Sequence, residues 1–185
     1  MRERASHGTR WATCITAIFA ALIGCGGSGP STLTGSLGFT VQSAVLGPTY
    51  YSGTNPTTIV VFLSTLTRSE VCKLVNGSPP TATASLLRLD FAGLPITPGD
   101  YPIQPTATPQ AVIEMSRYDE FADGGLYNYN TDRSGSATLT TVSYGDTAHY
   151  ATSSDEVKGT FDATLTQLDG GASALSGSFD AIGCP

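Results

Sequence analysis

Short runs of alternating apolar and polar residues, separated by Gly, Pro, Asn and Asp, recur from residue 34 to the end of the chain. A period of two places apolar side chains on one face of a β-strand, whereas a helix needs them every three or four residues. The pattern predicts about nine strands and no convincing helix. The chain is therefore expected to form one all-β domain over residues 34–185, either an antiparallel β-sandwich or a flattened barrel.

Several strands can be placed from their own residue pattern. Residues 59–63 are continuously apolar, which predicts a strand buried on both faces. A short strand carrying Cys72 is expected at 71–75. The last two strands, 157–168 and 174–182, are expected to form a hairpin around Asp169-Gly170-Gly171.

Two further strands are defined by the residues that share a face. Leu37, Phe39 and Val41 alternate with polar or small residues and predict the first strand. In the strand 136–144, the residues expected on one face are Ala137, Leu139 and Thr141.

One internal repeat lies in the final hairpin. The segment Gly-Thr-Phe-Asp-Ala at 159–163 recurs as Gly-Ser-Phe-Asp-Ala at 177–181. A period of two predicts that Phe and Ala face inward in both copies, while the Asp and the hydroxyl residue face outward. Asp162 and Asp180 could be paired acids, but solvated carboxylates on the outer face are the favoured interpretation.

The N-terminal segment has the organisation of a secretion signal. Its first ten residues hold three arginines and one acid, Glu3, and residues 11–23 carry no charge. Such a run matches a signal-peptide core and is shorter than the roughly 20 apolar residues of a membrane-spanning helix.

Residues 22–25, Leu-Ile-Gly-Cys, close this segment and resemble the bacterial lipobox. The resemblance implies that residues 1–24 are removed and that Cys25 carries acyl chains such as palmitate, followed by a flexible tether over 25–33. It also implies an extracytoplasmic location in the bacterial cell envelope, with the outer membrane favoured by Gly26 if the host has one. The alternative is an ordinary signal cut nearby, which would leave Cys25 as a plain thiol.

Four cysteines are present, and two remain once the leader and the anchor are set aside. Cys14 lies in the leader and Cys25 takes the lipid, so Cys72 and Cys184 are expected to form a disulfide in an oxidising compartment. A metal site on this pair is the alternative, but His149 is the only histidine after the leader. We therefore predict no metal.

The charge balance excludes one class of partner. The chain has a net charge of −6, and removal of residues 1–24 leaves 6 basic and 14 acidic residues, a net charge of −8. An acidic surface argues against nucleic acid and against electrostatic docking to anionic lipid. Attachment to the membrane is therefore expected through the lipid at Cys25.

Three segments of the remaining chain resemble a group of bacterial β-sandwich lipoproteins. They are a Pro-Gly-x-Tyr turn at 98–101, the strand 134–140 and the closing segment 177–184. The resemblance implies a β-sandwich fold and brings no activity with it.

No catalytic motif stands out. A nucleophilic triad needs a base, and His149 is the only histidine available for that role. No Gly-x-Ser-x-Gly elbow and no phosphate-binding glycine loop occur in the sequence. We therefore predict a protein that is not an enzyme and has no cofactor. A hydrolase would have to use the acids Glu114, Asp119, Glu120 and Asp123.

The segment 117–133 is the best candidate for a ligand site, because it combines aromatic rings with carboxylates and amides. These groups suit a carbohydrate or calcium, although the spacing departs from that of an EF-hand loop. The alternative is a plain polar hairpin. The candidate ligand-binding residues are Tyr118, Asp119, Asp123, Tyr127, Tyr129 and Asp132.

Together these features predict a lipid-anchored, disulfide-stapled module on the envelope surface, without catalytic activity. It would serve as a binding or structural domain that meets an envelope protein or glycan. The alternative is a small-ligand binder that uses segment 117–133, and a hydrolase is the remaining possibility.

Overall fold

The computed structural model describes residues 31–36, 38–52, 55–78, 80–93, 95–104, 109–118, 126–128, 130–145, 151–167 and 171–185. Eleven strands and one helix lie in these residues. In chain order they are β1 (Thr32–Gly35), β2 (Ser43–Leu46), β3 (Tyr50–Ser52), β4 (Asn55–Ser64), α1 (Arg68–Val75), β5 (Ala84–Ala92), β6 (Gly99–Pro102), β7 (Gln110–Tyr118), β8 (Leu126–Asn128), β9 (Asn130–Ser143), β10 (Glu156–Gln167) and β11 (Ala172–Gly183).

The strands form one sheet that curls into a nearly closed barrel. Nine strands follow the order β6-β9-β10-β11-β2-β4-β5-β7-β8, while β1 pairs with β11 and β3 with β4. All pairings between these strands are antiparallel except that of β11 with β2. Beyond β6, Ile103 forms a bridge to Ala111 in β7, which brings the β6 end of the sheet back against the strand beside its other end. The prediction of an all-β fold with about nine strands is confirmed.

Side chains from the inner faces of the strands fill the barrel. Phe91 is fully buried, and its ring meets Tyr101 edge-on at 5.5 Å and lies 6.1 Å from the ring of Phe179. Such aromatic contacts stabilise beyond the area they bury. Other fully buried large side chains of this core include Leu46, Ile59, Leu63, Leu87, Leu89, Ile103, Ile113, Leu139, Leu165 and Leu175.

The predicted hydrophobic strand at 59–63 lies in β4 and is covered on both faces, as expected. Val61 and Leu63 point into the barrel and are fully buried. Val60, on the opposite face, is only 3% exposed, and Phe62 packs against a second, smaller apolar cluster outside the barrel. A continuous apolar run is therefore needed here, because neither face of the strand meets water freely.

The predicted first strand is wrong. Phe39 and Val41 lie between β1 and β2 and pack half-buried against the core without belonging to a strand, while Leu37 lies outside the described residues. The reason is a turn: the N–H of Gly38 donates to the carbonyl of Gly35, which takes the chain out of β1. Thr32 and Leu33, placed in the tether from the sequence, belong to β1.

The strand predicted at 71–75 is also wrong, because these residues form most of α1. Thr67 caps the helix by accepting a hydrogen bond from the backbone N–H of Glu70, and the Glu70 carboxylate accepts in return from the Thr67 N–H. This Thr-x-x-Glu capping box fixes the start of the helix. Val71, Cys72 and Val75 then lie on one helical face rather than alternating across a strand.

The prediction that Thr141 shares a face with Ala137 and Leu139 in β9 is wrong, because a β-bulge lies between Leu139 and Thr141. Thr141 lies opposite Lys158 in β10, but the next pair is Leu139 with Gly159, so Thr140 is an extra residue. Ala137 and Leu139 face the core as predicted. Beyond the bulge the phase changes, and it is Val142 and Tyr144 that pack against the core.

Cys72 and Cys184 form the predicted disulfide, with their Cα atoms 5.6 Å apart. The bond joins α1 to the residue that follows β11, across a sequence separation of 112. It therefore holds the helix against the outside of the barrel.

Candidate functional site

The backbone of the predicted ligand segment is a hairpin where the structure describes it. Tyr118 ends β7 opposite Leu126, and Tyr127 lies opposite Arg117. Asp132 belongs to β9 and pairs with Thr166 of β10. Asp119, Asp123 and Tyr129 lie outside the described residues. Tyr118 and Tyr127 therefore come from adjacent strands, and their role in binding a ligand stays a prediction.

Only one of the four acids considered for hydrolysis lies in the described residues. Glu114 of β7 is the cross-strand partner of Arg88, whose Nε lies 2.9 Å from Oδ1 of Asp90 in the same strand. Its neighbour Ile113 is fully buried in the barrel, so Glu114 belongs to the charged outer face.

Hydroxyl groups form a regular array on the outside of the sheet, which we call the hydroxyl face. The strand register aligns one row across β9, β10, β11 and β1, and a second row lies two residues further along. Rows on one face are about 6.8 Å apart and strands about 4.8 Å apart. The first row is Thr138, Thr160, Ser178 and Thr32, and the second is Ser136, Asp162, Ser176 and Thr34.

Hydrogen bonds hold part of this array in place. Thr32 Oγ1 lies 3.0 Å from Ser178 Oγ, and Thr34 Oγ1 lies 2.9 Å from Ser176 Oγ. At the other end of the first row, Thr138 Oγ1 donates to Oδ1 of Asp100 at 2.6 Å. Thr160 and Asp162, in the middle, are exposed. Since a hydroxyl can both donate and accept, the array can hydrogen-bond a polyhydroxylated ligand.

A three-membered charge cluster borders the hydroxyl face. Lys158 Nζ lies 2.9 Å from a carboxylate oxygen of Glu156 and 2.9 Å from one of Asp180. These hydrogen bonds, that with Glu156 first, raise the pKa of Lys158 above its ordinary value of 10.5.

Asp180 faces outward as expected, because its neighbours Phe179 and Ala181 face the core, but the solvent exposure expected for it is wrong. The exposed, outward position expected for Asp162 is correct. Asp180 is only 7% exposed, and its backbone N–H donates to Ser31 Oγ at 3.1 Å. The reason is that Ser31 and Lys158 both lie against Asp180, whereas Asp162 is exposed.

Asp155 is a buried carboxylate that sequence reasoning missed, and its only local signal is the turn-like Ser153-Ser154-Asp155. It is 1% exposed, and Oδ1 accepts from the Gly145 N–H at 2.7 Å. Oδ2 accepts from the N–H of Thr152 at 2.6 Å and from its hydroxyl at 3.1 Å. These bonds satisfy the carboxylate and fix both ends of the connection between β9 and β10, which indicates a structural role.

A cleft of about 300 Å³ lies beside the disulfide. Cys184 and Pro185 form one wall, and Val75 and Asn76 at the end of α1 form another. Leu46, Ala151 and Thr152 are among the other residues that line it. The cleft therefore opens between the helix and the barrel.

Within the residues that the structure describes, no three or more His, Cys, Asp or Glu side chains are grouped to hold a metal ion. The same residues include no helix of sufficient length and apolar character to cross a membrane. Comparison with known proteins finds no family model, no curated protein and no solved structure that matches this chain.

Proposed function

We propose that this protein is a lipid-anchored envelope module that binds a partner without catalysing a reaction. The observation that carries the proposal is the contrast between the two sides of the sheet. The barrel interior is filled by apolar side chains, while the outer side of β9, β10, β11 and β1 presents aligned hydroxyl groups. Binding would therefore use the outer surface.

The proposed anchor and the hydroxyl face lie close together in the chain. Acylation of Cys25, as the lipobox resemblance implies, would tie the protein to a membrane six residues before Ser31. Six residues span at most about 20 Å. The hydroxyl face would then lie near the membrane surface, where an envelope glycan or protein is within reach.

A hydroxyl-rich glycan is the partner whose chemistry fits this surface best. The two rows contain seven hydroxyl groups and one carboxylate, Asp162, and no cation. Hydroxyls pair with the hydroxyls of a sugar in either direction, and an exposed carboxylate accepts from them. An envelope protein that uses the same face is the other partner class.

The binding test is co-sedimentation of the purified protein with isolated cell-wall glycan. Thr160 is exposed at the centre of the first row, so Thr160→Lys should abolish sedimentation by placing a long cation on the hydroxyl face. Thr83→Lys is the matched control, since Thr83 is also exposed and lies outside this face, just before β5. Equal sedimentation of both variants with the wild type would count against the proposal.

The anchor has its own test. Intact mass of the protein purified from membranes should correspond to residues 25–185 with acyl chains, and Cys25→Ser should lose the acyl mass and leave the membrane fraction. An unacylated wild-type protein would remove the anchor from the proposal while leaving the binding face to be judged separately.

Small-ligand binding by segment 117–133 is the second candidate. It is supported by the pairing of β7 with β8, which brings the backbone of Tyr118 beside that of Leu126 and Tyr127 beside Arg117. A sugar or Ca²⁺ should raise the unfolding temperature of the wild type, since a ligand that binds the folded state stabilises it. A variant with Tyr127→Ala and Tyr129→Ala should lose this increase.

A further inference from the structure

In the part of the chain that the structure describes, apolar side chains form two separate clusters, and α1 belongs to only one of them. The inner cluster fills the barrel and includes no residue of the helix. The second cluster, which we call the outer cluster, lies on the outside of β2, β4 and β5. It consists of Val45, Leu66, Val71, Cys72 and Ala84, with Phe62, Val75 and Cys184 packed against it.

Among the described residues, α1 is held by its packing in the outer cluster, by hydrogen bonds at its N-terminal end and by one covalent bond. Its N-terminal Arg68 donates a hydrogen bond from its guanidinium to the carbonyl of Gly183. Ser43 Oγ donates to the carbonyl of Leu66 just before the helix, at 2.8 Å. The covalent link is the disulfide from Cys72 to Cys184. An eight-residue helix is shorter than the roughly 12 to 15 residues that an isolated helix needs in water, so α1 depends on these links.

The two cysteines of this disulfide differ in their surroundings. Cys72 is 7% exposed within the outer cluster, whereas Cys184 is half-buried and lines the cleft beside Val75 and Asn76. The Cys184 side of the bond is therefore the more open to an attacking thiolate. Cys72 is then the leaving group.

We propose that the Cys72–Cys184 disulfide is a redox-sensitive switch, and that its reduction releases α1 from the barrel while the barrel stays folded. Release uncovers the outer face of β2, β4 and β5, including Val45, Phe62 and Ala84. The oxidised protein thus hides an apolar surface that the reduced protein presents.

The reductant is a dithiol, either a small molecule or the active site of a thiol–disulfide oxidoreductase. One of its thiolates attacks the Cys184 sulfur, which forms a mixed disulfide and expels the Cys72 thiolate. The second thiol of the reductant then attacks the mixed disulfide, leaving Cys184 reduced and the reductant as a disulfide. Two electrons and two protons pass to the protein.

Hydrogen exchange read by mass spectrometry tests the proposal on the whole protein, with dithiothreitol as the dithiol. We expect a mass gain of two hydrogens at the Cys72–Cys184 pair, and peptides of α1 that exchange at the rate of unfolded chain. Peptides of β5, β7 and β10 should keep their slow exchange, because their side chains belong to the inner cluster.

A fluorescent dye that binds apolar surface should bind only after reduction. The control is the variant with Cys72→Ser and Cys184→Ser, which should show fast exchange in α1 before any dithiol is added and no response to it. If that variant does not fold, reduction of the folded wild type still tests whether loss of the disulfide releases α1. Loss of protection throughout the barrel, continued protection of α1 after reduction, or a disulfide that resists dithiol until the barrel unfolds would each overturn the proposal.

Discussion

The ring of Phe179 in β11 covers Gly159, its cross-strand partner in β10. A Cβ atom added to Gly159 would lie 2.7 Å from Cζ of Phe179, so the ring occupies the space that a side chain would need. Two residues along each strand the roles reverse: Phe161 lies opposite Gly177, and a Cβ there would lie 2.9 Å from the Phe161 ring. The Gly-x-Phe repeat is thus a reciprocal pair across one hairpin, in which each aromatic ring packs over the other copy's glycine.

Gly159→Ala should destabilise the fold by about 2 kcal/mol, because the added methyl group forces Phe179 or the backbone to move. The same methyl group would also meet the carbonyl oxygen of Thr138. The free energy of unfolding from chemical denaturation measures this change. Gly93→Ala is the control, since its Cβ would meet Ile96 and Pro109 at ordinary distances of 3.5 and 3.6 Å. Equal loss in the two variants would mean that the ring contact is not the cause.

Asp155→Ala should lower the free energy of unfolding by about 3 kcal/mol. The change leaves the Gly145 N–H and the Thr152 N–H without their buried acceptor, and each such loss costs roughly 1 to 3 kcal/mol. Asp162→Asn is the matched control, because Asp162 is an exposed carboxylate of the neighbouring strand. A wild-type unfolding curve for Asp155→Ala would contradict the structural role given to this carboxylate.

The capping box of α1 should weaken in acid. Hydrogen bonds from the Thr67 side chain and backbone lower the pKa of Glu70 below its ordinary value of 4.5. The ionised carboxylate therefore adds stability above that ordinary value, and the contribution is lost as the pH falls through the lowered pKa. Glu70→Gln keeps an uncharged partner for Thr67. The difference in free energy of unfolding between the wild type and Glu70→Gln should shrink as the pH falls. A difference that stays constant with pH would contradict the stabilising role of the ionised Glu70.

The stability that Lys158 contributes should depend on pH in the opposite sense and be lost in alkali. Its pKa is raised, first by the hydrogen bond with Glu156 and then by that with Asp180, so its stabilising effect is complete below 10.5. The effect is lost as the pH rises through the raised pKa. Lys158→Met should be less stable than wild type at neutral pH, since the largely buried Asp180 loses its cation, and this gap should close in strong alkali. Lys73→Met, at an exposed site, should leave stability nearly unchanged.

Much of the sheet could be predicted from the sequence because a period of two is a local property. The final hairpin, the buried strand at 59–63 and the disulfide pair were all predicted correctly. The helix was missed because Val71, Cys72 and Val75 fit a short apolar strand as well as a helical face. The signal that separates the two is the capping box at Thr67 and Glu70, which was present in the sequence.

Of the two candidate binding surfaces, only one could be predicted from the sequence. Tyr118 and Tyr127 could be named from composition, and the strand pairing adds only which backbone positions they face. The hydroxyl face could not be named, because its members meet only through the registers of four strands. Thr32 and Thr34 lie more than a hundred residues from the other members and join them through the register of β1 on β11.

The sequence by itself determined the strand character of most of the sheet and, away from the bulge in β9, the alternation of its faces, since these depend on neighbours along the chain. The tertiary structure decided which outward residues are exposed. Asp162 and Asp180 occupy equivalent places in the repeat, yet Asp162 is exposed and Asp180 is buried. The difference is that Ser31, which is 149 residues away in the sequence, and Lys158 of β10 make contacts at Asp180. Solvent access depends on such distant contacts, and a local pattern does not encode them.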